Sequence, residues 1–321
     1  MTEFSLVGDI GGTNSRFGLV QQGSMAIEHM EALRNDNFAS LEAAIQQYLR
    51  NRNVTALSSA AIAVAAPVDR EQISLTNRDW SFTSESLRQA AKARHLRLLN
   101  DYEALALSLP HLGGDDLVQI GGQEPIVPKL KIVLGPGTGL GMAALAPLPN
   151  GGWMALPGEL GHVTLPTVTR EEFELRERMV KPGIVFTAED AVSGGGLYLL
   201  YKTIDPRGTL ETPEAVIQAA LAGRDIAASK TLEHFIAWLA RLSGDAAMAL
   251  QARGGVYLAG GIAPSIIDKL KSGNFRSIFE EKGKLADVMR PIPVYVIVDR
   301  FPAFKGCAAS LAPRGQNEDH G

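Results

Sequence analysis

Short apolar runs alternate with stretches whose apolar residues recur at three- and four-residue spacing, the pattern of strands interleaved with helices. Phe4 to Val7 reads as a strand, GDIGGTN as a tight turn and Arg16 to Val20 as a second strand, which predicts a hairpin. The chain then enters a helix. Leu41, Ala44, Ile45, Tyr48 and Leu49 fall on one helical face behind Ser40 as N-cap, so this helix has a side to bury against a sheet. Ala60 to Ala66 is an apolar run stopped by Pro67, and Leu96 to Leu99 is another. Between them Glu85 to His95 is helical, with Thr83 or Ser84 as its cap.

Lys131 to Leu134, the loop GPGTGLG and Met142 to Ala146 predict a second hairpin on the plan of the first, the nearest thing to an internal repeat. Thr169 and Glu172 stand at capping-box spacing before Phe173 and Leu175, and Thr212 precedes Pro213 as a cap beside a first-turn proline. A long helix from Thr231 to about Arg253 carries Leu232, Phe235, Ile236, Leu239 and Leu242 on one face, with Gly244 as a candidate break. Val256 to Ala259 is a strand, GGIAPS a turn, and a helix starts at Ser265. Val294 to Val298 supplies one more strand before the helical stretch Phe304 to Leu311, and the tail PRGQNEDHG is polar and expected to fray. Alternating strands and helices place the chain in the α/β class.

Composition narrows the functions this pattern could serve. A length of 321 residues allows one large or two ordinary domains, and hence an interdomain cleft as an active site. A hydrophobic share of 45% and a charged share of 21% belong to an ordinary globular protein. A net charge of −4, with Lys and Arg scattered, leaves no basic footprint for nucleic acid, so anionic ligands must be held locally. The single cysteine, Cys307, excludes an intramolecular disulfide and any multi-cysteine metal site, which suits a reducing cytoplasm. The start MTEFSLVGDIGG lacks a basic n-region and reads as a first strand, not a signal peptide. The longest apolar run, Ala60 to Ala66, falls far short of the roughly 20 residues that span a bilayer, so no membrane segment is expected.

Three glycine-rich turns each follow a predicted strand: Gly8 to Asn14, Gly135 to Gly141, and Gly260 with Gly261. Amides exposed at such turns bind phosphate oxygens, because glycine permits close approach; each alone also reads as an ordinary turn. GPGTGLG is spaced G-x-G-x-G-x-G and leads into a strand, which excludes the dinucleotide fingerprint, and no Walker A lysine motif occurs. Phosphate charge must then be balanced by Mg²⁺ and backbone dipoles. Asp9 lies in the first turn beside Gly11, Gly12 and Thr13, either as a carboxylate for hydrated Mg²⁺ or as a turn stabiliser. Asn100 and Asp101 stand where a strand gives way to a helix, the place for a catalytic carboxylate and equally for an N-cap.

LPGELGH sets Glu159 and His162 three residues apart, and Glu189 opens EDAVSGGG. Carboxylates and imidazole suit a polyhydroxylated ligand. The alternatives are a lone surface histidine for His162 and a solvated helix face for Glu189. The scattered histidines and the one cysteine make zinc a poor reading.

Taken together, GDIGGTNSR, TNRDW, LNDYEA, GPGTGLG, LPGELGH, AEDAVSGGGL, LAGGI and IPVYVIVD, in this order over nearly the whole chain, resemble the bacterial glucokinases, the hexokinase-like branch of the actin-like ATPase fold. The resemblance implies two α/β domains, a small one of residues 1–110 with about 301–321 and a large one of 111–300, closing on an active-site cleft. It implies transfer of the γ-phosphoryl group of ATP to the 6-hydroxyl of D-glucose with Mg²⁺, in a cytoplasmic homodimer. Asp101 would be the general base. Asn100, Glu159, His162 and Glu189 would hold the other hydroxyls. Asp9, Gly11, Gly12, Thr13 and Asn14 would manage Mg²⁺ and the γ-phosphate, Gly137, Thr138 and Gly139 would contact phosphate, and Gly260 and Gly261 would border the adenosine. Departures from the family pattern are Lys305 in FPAFKG and Pro136 in the second loop.

A phosphatase or ATPase on the same fold would keep the phosphate loops without needing Asn100, Glu159, His162 and Glu189. A sugar sensor would keep those four and dispense with Asp101 as base. A kinase acting on another hexose stays open as well.

Overall fold

The computed structural model describes residues 4–21, 23–75, 78–149, 151–181 and 183–312. The expectation for the tail from Pro313, and Thr76 and Asn77 of TNRDW, lie outside the described residues. Along the chain, β1 (Phe4–Ile10) and β2 (Asn14–Gln21) form the first hairpin, followed by β3 (Ile27–Arg34), α1 (Leu41–Arg50) and β4 (Leu57–Val64). Next come a small hairpin of β5 (Gln72–Ser74) and β6 (Ser81–Thr83), then α2 (Ser84–Ala90), β7 (Ala93–Asn100) and α3 (Asp101–Ser108). They are followed by β8 (Leu117–Gly121), the second hairpin of β9 (Lys131–Pro136) and β10 (Leu140–Pro147), and β11 (Trp153–Gly158). Four helices follow: α4 (Arg170–Met179), α5 (Gly194–Ile204), α6 (Pro213–Leu221) and α7 (Ile226–Leu250). The chain closes with β12 (Val256–Leu258), α8 (Ile267–Ser272), α9 (Phe275–Glu280), α10 (Ala286–Met289), β13 (Val294–Ile297) and α11 (Pro302–Leu311).

Two compact units result, one of Met1–Leu112, Pro147–Pro157 and Arg300–Gly321, the other of Gly113–Ala146 and Gly158–Asp299. In the first, the strand order is β3-β2-β1-β4-β7, with β1, β4 and β7 parallel. Its core joins Leu6, Ile10 and Phe17 of the sheet to Leu41, Ile45 and Tyr48 of α1, the helical face that periodicity predicts, and Ser40 caps that helix by accepting the Ala43 amide. The registers Asp9↔Ala63↔Leu99 and Ile10↔Val64↔Asn100 bring three carboxyl ends to one edge, where ligand-binding groups of parallel sheets collect. Behind that edge α11 packs on α3: a methyl at Gly306 would overlap the Ala104 carbonyl, and the buried Cys307 thiol donates to the Gly8 carbonyl at 3.5 Å.

The second sheet runs β11-β10-β9-β12-β13-β8. The second unit has its own core, in which Phe235, Trp238, Leu239 and Leu242 of α7 lie among Ile132, Leu134, Val256 and Leu258 of the sheet. Thr169 and Thr212 cap α4 and α6 as their spacing predicts. Buried Glu172 of α4 also takes a guanidinium hydrogen bond at 3.2 Å from Arg241 of α7.

Several expectations need correction. Asp9 belongs to β1 and pairs with Arg16 across the hairpin, so the turn begins later than its glycines suggest. The chain does not pass straight from this hairpin to a helix: β3 intervenes, an edge strand whose charged and exposed positions hide its pairing. Helix α2 stops at Ala90, because Lys92 turns left-handed at φ 50° and His95 lies in β7 opposite Ser59. Helix α7 begins at Ile226 behind Asp225 and runs through Gly244 unbroken. That glycine serves packing: a Cβ there would come within 2.6 Å of the Phe279 carbonyl oxygen. The helix expected from Ser265 is a 3₁₀ turn, Ala263–Ile266, with α8 starting one residue later. The strands β5 and β6 are only three residues each, too short for their alternation to stand out, and β8 alternates weakly, so periodicity did not reveal them.

Candidate active site

In the first unit, Asp9 and Asp101 stand at the carboxyl edge of the parallel strands. Burial pushes the Asp9 carboxyl up from its ordinary range, opposed by the Arg16 guanidinium 3.1 Å away. Burial likewise raises Asp101 to about 6; the Tyr102 amide, 2.9 Å from its carboxylate, works against that shift and the Asp9 charge adds to it. Asn100 is the N-cap of α3, accepting the Tyr102 amide at 2.9 Å, while its Nδ2 donates to the Ala66 carbonyl at 3.4 Å. The two neighbours are set differently: Asn100 closes the helix as its N-cap, while Asp101 lies in the first turn with its carboxyl raised to about 6.

The loop after Asp9 is held from inside the unit. Asn35, fully buried, donates through Nδ2 to the carbonyls of Gly11 at 2.8 Å and Gly12 at 3.1 Å, and its backbone amide donates to Thr13 at 2.9 Å. Gly11 donates to the Asn14 carbonyl at 3.0 Å, and Thr13 is exposed at the tip.

In the second unit, Gly137, Thr138 and Gly139 form the tip of the second hairpin, where Pro136 pairs with Leu140. Gly137 donates to Gly139 at 2.8 Å, and its carbonyl accepts the Gly194 amide at the start of α5 at 2.9 Å. Glu189 is not on a helix. It lies in the turn before α5, half-buried, and its Oε2 accepts the Leu140 amide at 2.7 Å. A methyl at Gly139 would overlap that carboxylate, so glycine is required there by packing. Gly161 also lies near it, where a Cβ would stand 3.2 Å from Oε2, and its carbonyl accepts the Glu189 amide at 2.9 Å. The loop, Glu189 and the LPGELGH turn thus form one cluster. Glu159 precedes and His162 ends a 3₁₀ turn, with side chains 78% and 64% exposed and their nearest charged atoms 4.0 Å apart, open to a hydroxylated ligand. Gly260 adopts φ 82° with the Pro136 carbonyl where a side chain would go, and Gly261 beside it is open.

The glucokinase family model matches residues 6–314. The chain belongs to the glucokinase family. It is 38% identical to the glucokinase of Marinobacter nauticus over 313 residues, 96% of this chain and 97% of that one. It is 37% identical to the glucokinase of Neisseria gonorrhoeae, over 97% of this chain and 96% of the relative. Among solved structures, the glucokinase from an Antarctic psychrotroph superposes with a TM-score of 0.87 at 30% identity, covering 97% of this chain and 99% of that one. The fold is accordingly the two-domain actin-like ATPase fold of the sugar kinases, as the order of motifs implies.

The two departures from the family pattern have definite places. Pro136 ends β9 and receives Gly260 against its carbonyl. Lys305 is on α11, and its charge joins burial in lowering the pKa of His111. Reading the sequence missed Asn35, Arg16 as the partner of Asp9, and the part Glu189 plays in shaping the second loop. Asn35 sits in the polar run RNDN, which signals only a turn, and β3 carries it back to the glycine loop.

Proposed function

We propose that this glucokinase-family enzyme transfers the γ-phosphoryl group of ATP to the 6-hydroxyl of D-glucose, giving glucose 6-phosphate and ADP, the entry step of glycolysis. The observation that carries the assignment of roles is the Asp9–Asp101 pair, two half-buried carboxylates at one strand edge, with Asp101 raised to about 6. A general base works best with a proton affinity near the working pH. Asp101 takes the proton of the 6-hydroxyl, the oxygen bonds to the γ-phosphorus, and the bond to the bridging oxygen of ADP breaks. The first loop, Gly11, Gly12, Thr13 and Asn14, and the second, Gly137, Thr138 and Gly139, serve the phosphates, while the Gly11 and Gly137 amides hold their own turns closed. Asn100, Glu159, His162 and Glu189 hold the sugar, and Gly260 and Gly261 border the adenosine.

Mg²⁺ fits this chemistry as part of the nucleotide substrate. Among the described residues no group of three or more His, Cys, Asp or Glu side chains is placed to hold a metal. A single carboxylate suits an ion that keeps most of its waters and arrives on phosphate oxygens. Asp9 would hold it through water, and the ion would neutralise charge on the β- and γ-phosphates. We place the enzyme in the cytoplasm as a homodimer, on its family resemblance and single buried cysteine; among the described residues no helix is long and apolar enough to cross a membrane.

A coupled phosphorylation assay over a panel of hexoses, with ATP, ADP and polyphosphate as donors, tests the reading. Glucose with ATP should dominate, and ATP hydrolysis without sugar should be slow. Preference for another hexose or donor, or hydrolysis as fast without sugar, overturns it. Gel filtration with light scattering tests the dimer.

A further inference from the structure

The first glycine loop has a holder that the reaction scheme leaves unused. Asn35 is fully buried, as is Ser15, whose hydroxyl donates to Asn35 Oδ1 at 2.7 Å. With its oxygen fixed in this way, the amide can present only its NH₂ group to the loop. Both N–H bonds are used, on the Gly11 and Gly12 carbonyls at 2.8 and 3.1 Å. A trans peptide sets its N–H opposite its C=O. Two carbonyls turned inward onto Asn35 therefore send the Gly12 and Thr13 amides outward, and successive outward amides make an anion-binding concavity.

We infer that Asn35 is a positioning residue for the phosphoryl donor, fixing which face of the first glycine loop its amides present, with Ser15 setting the orientation of the Asn35 amide. This rests on the reading above that the loop receives the phosphates of ATP. No other side chain of similar size does the same. Aspartate offers a carboxylate oxygen to two carbonyl oxygens, alanine leaves both carbonyls without a partner, and glutamine is one methylene too long for a fully packed site.

The test is steady-state kinetics with both substrates varied, and calorimetric binding of a non-hydrolysable ATP analogue, for wild type, Asn35→Ala, Asn35→Asp and Ser15→Ala. Both Asn35 variants should raise KM for ATP about tenfold or more and weaken analogue binding by a similar factor. KM for glucose should move less than about twofold, a split that general loosening of the fold does not produce. Ser15→Ala keeps the amide but releases its orientation, and should raise KM for ATP by about two- to fivefold. If the Asn35 variants do not fold, Ser15→Ala decides. Unchanged KM for ATP in the folded variants, or equal losses for both substrates, overturns the inference while a glucose-phosphorylating wild type leaves the proposed function standing. A wild type that neither binds the analogue nor phosphorylates glucose removes both.

Discussion

The two glycine hairpins solve one problem by opposite means. Each turns a strand back and, in the proposed function, offers amides to an anion, and each needs a partner that decides which way its peptides face. In the first, the partner is a neutral donor: Asn35, wholly buried, takes the carbonyls of Gly11 and Gly12. In the second, the partner is a charged acceptor: Glu189, half-buried, takes the Leu140 amide, while Gly194 takes the Gly137 carbonyl. A buried holder can only shape its loop. A half-buried carboxylate can shape the loop and meet the sugar as well, so disturbing the second hairpin should couple the two substrates and disturbing the first should not.

The largest effect tests the ground common to both hairpins. Asp101→Asn should lower turnover by about a hundredfold or more, the usual worth of a positioned base, and wild-type turnover in a clean preparation would remove the assignment. The same variant probes the cost of burying that carboxyl. Because its folded pKa is raised to about 6, stability present below the unfolded value is lost as pH rises through about 6. Asparagine cannot ionise, so the variant should unfold later than wild type above pH 6, by of order 1–2 kcal/mol, with the gain vanishing in acid.

Glu189→Ala comes next. It leaves the Leu140 amide unpartnered and should raise KM for both ATP and glucose by about tenfold, whereas Glu189→Gln, which still accepts that amide, should spare ATP saturation and shift glucose alone. Equal KM for ATP in the two variants would mean that the Leu140 contact does not hold the second loop, and unchanged KM for glucose in both would mean that Glu189 meets no sugar. Turnover should also fall about tenfold between the plateau and pH 5, as Asp101 takes up its proton near pH 6. A flat profile down to pH 5 would place the base elsewhere. The smallest effect lies inside the second loop. Gly139→Ala, whose methyl would meet the Glu189 carboxylate, should cost several-fold in kcat/KM, while Gly137→Ala, facing open space, should change it less than about twofold.

Much of this arrangement was legible from local pattern. The face of α1, the caps Ser40, Thr169 and Thr212, and both hairpins follow from periodicity and side-chain chemistry within a few residues. The edge strand β3 was not, because IEHMEALR alternates too weakly to betray pairing and needs β2 beside it. Gly244 misled for a related reason. A glycine in a helix signals a break by propensity, and only the Phe279 carbonyl lying against it shows why it is there.

By itself the sequence determined the family and the groups this protein brings to its site: glycine turns after strands, a carboxylate at a strand end, and carboxylates with an imidazole in LPGELGH and EDAVSGGG, in the order of one family. These depend on residue type and near neighbours. Tertiary structure alone decided how each group is set. Burial gives Asp101 its proton affinity, and Asn35 and Glu189 orient loops far from them in sequence. Desolvation and hydrogen-bond direction are properties of what surrounds a side chain, and the surroundings exist only once the chain has folded.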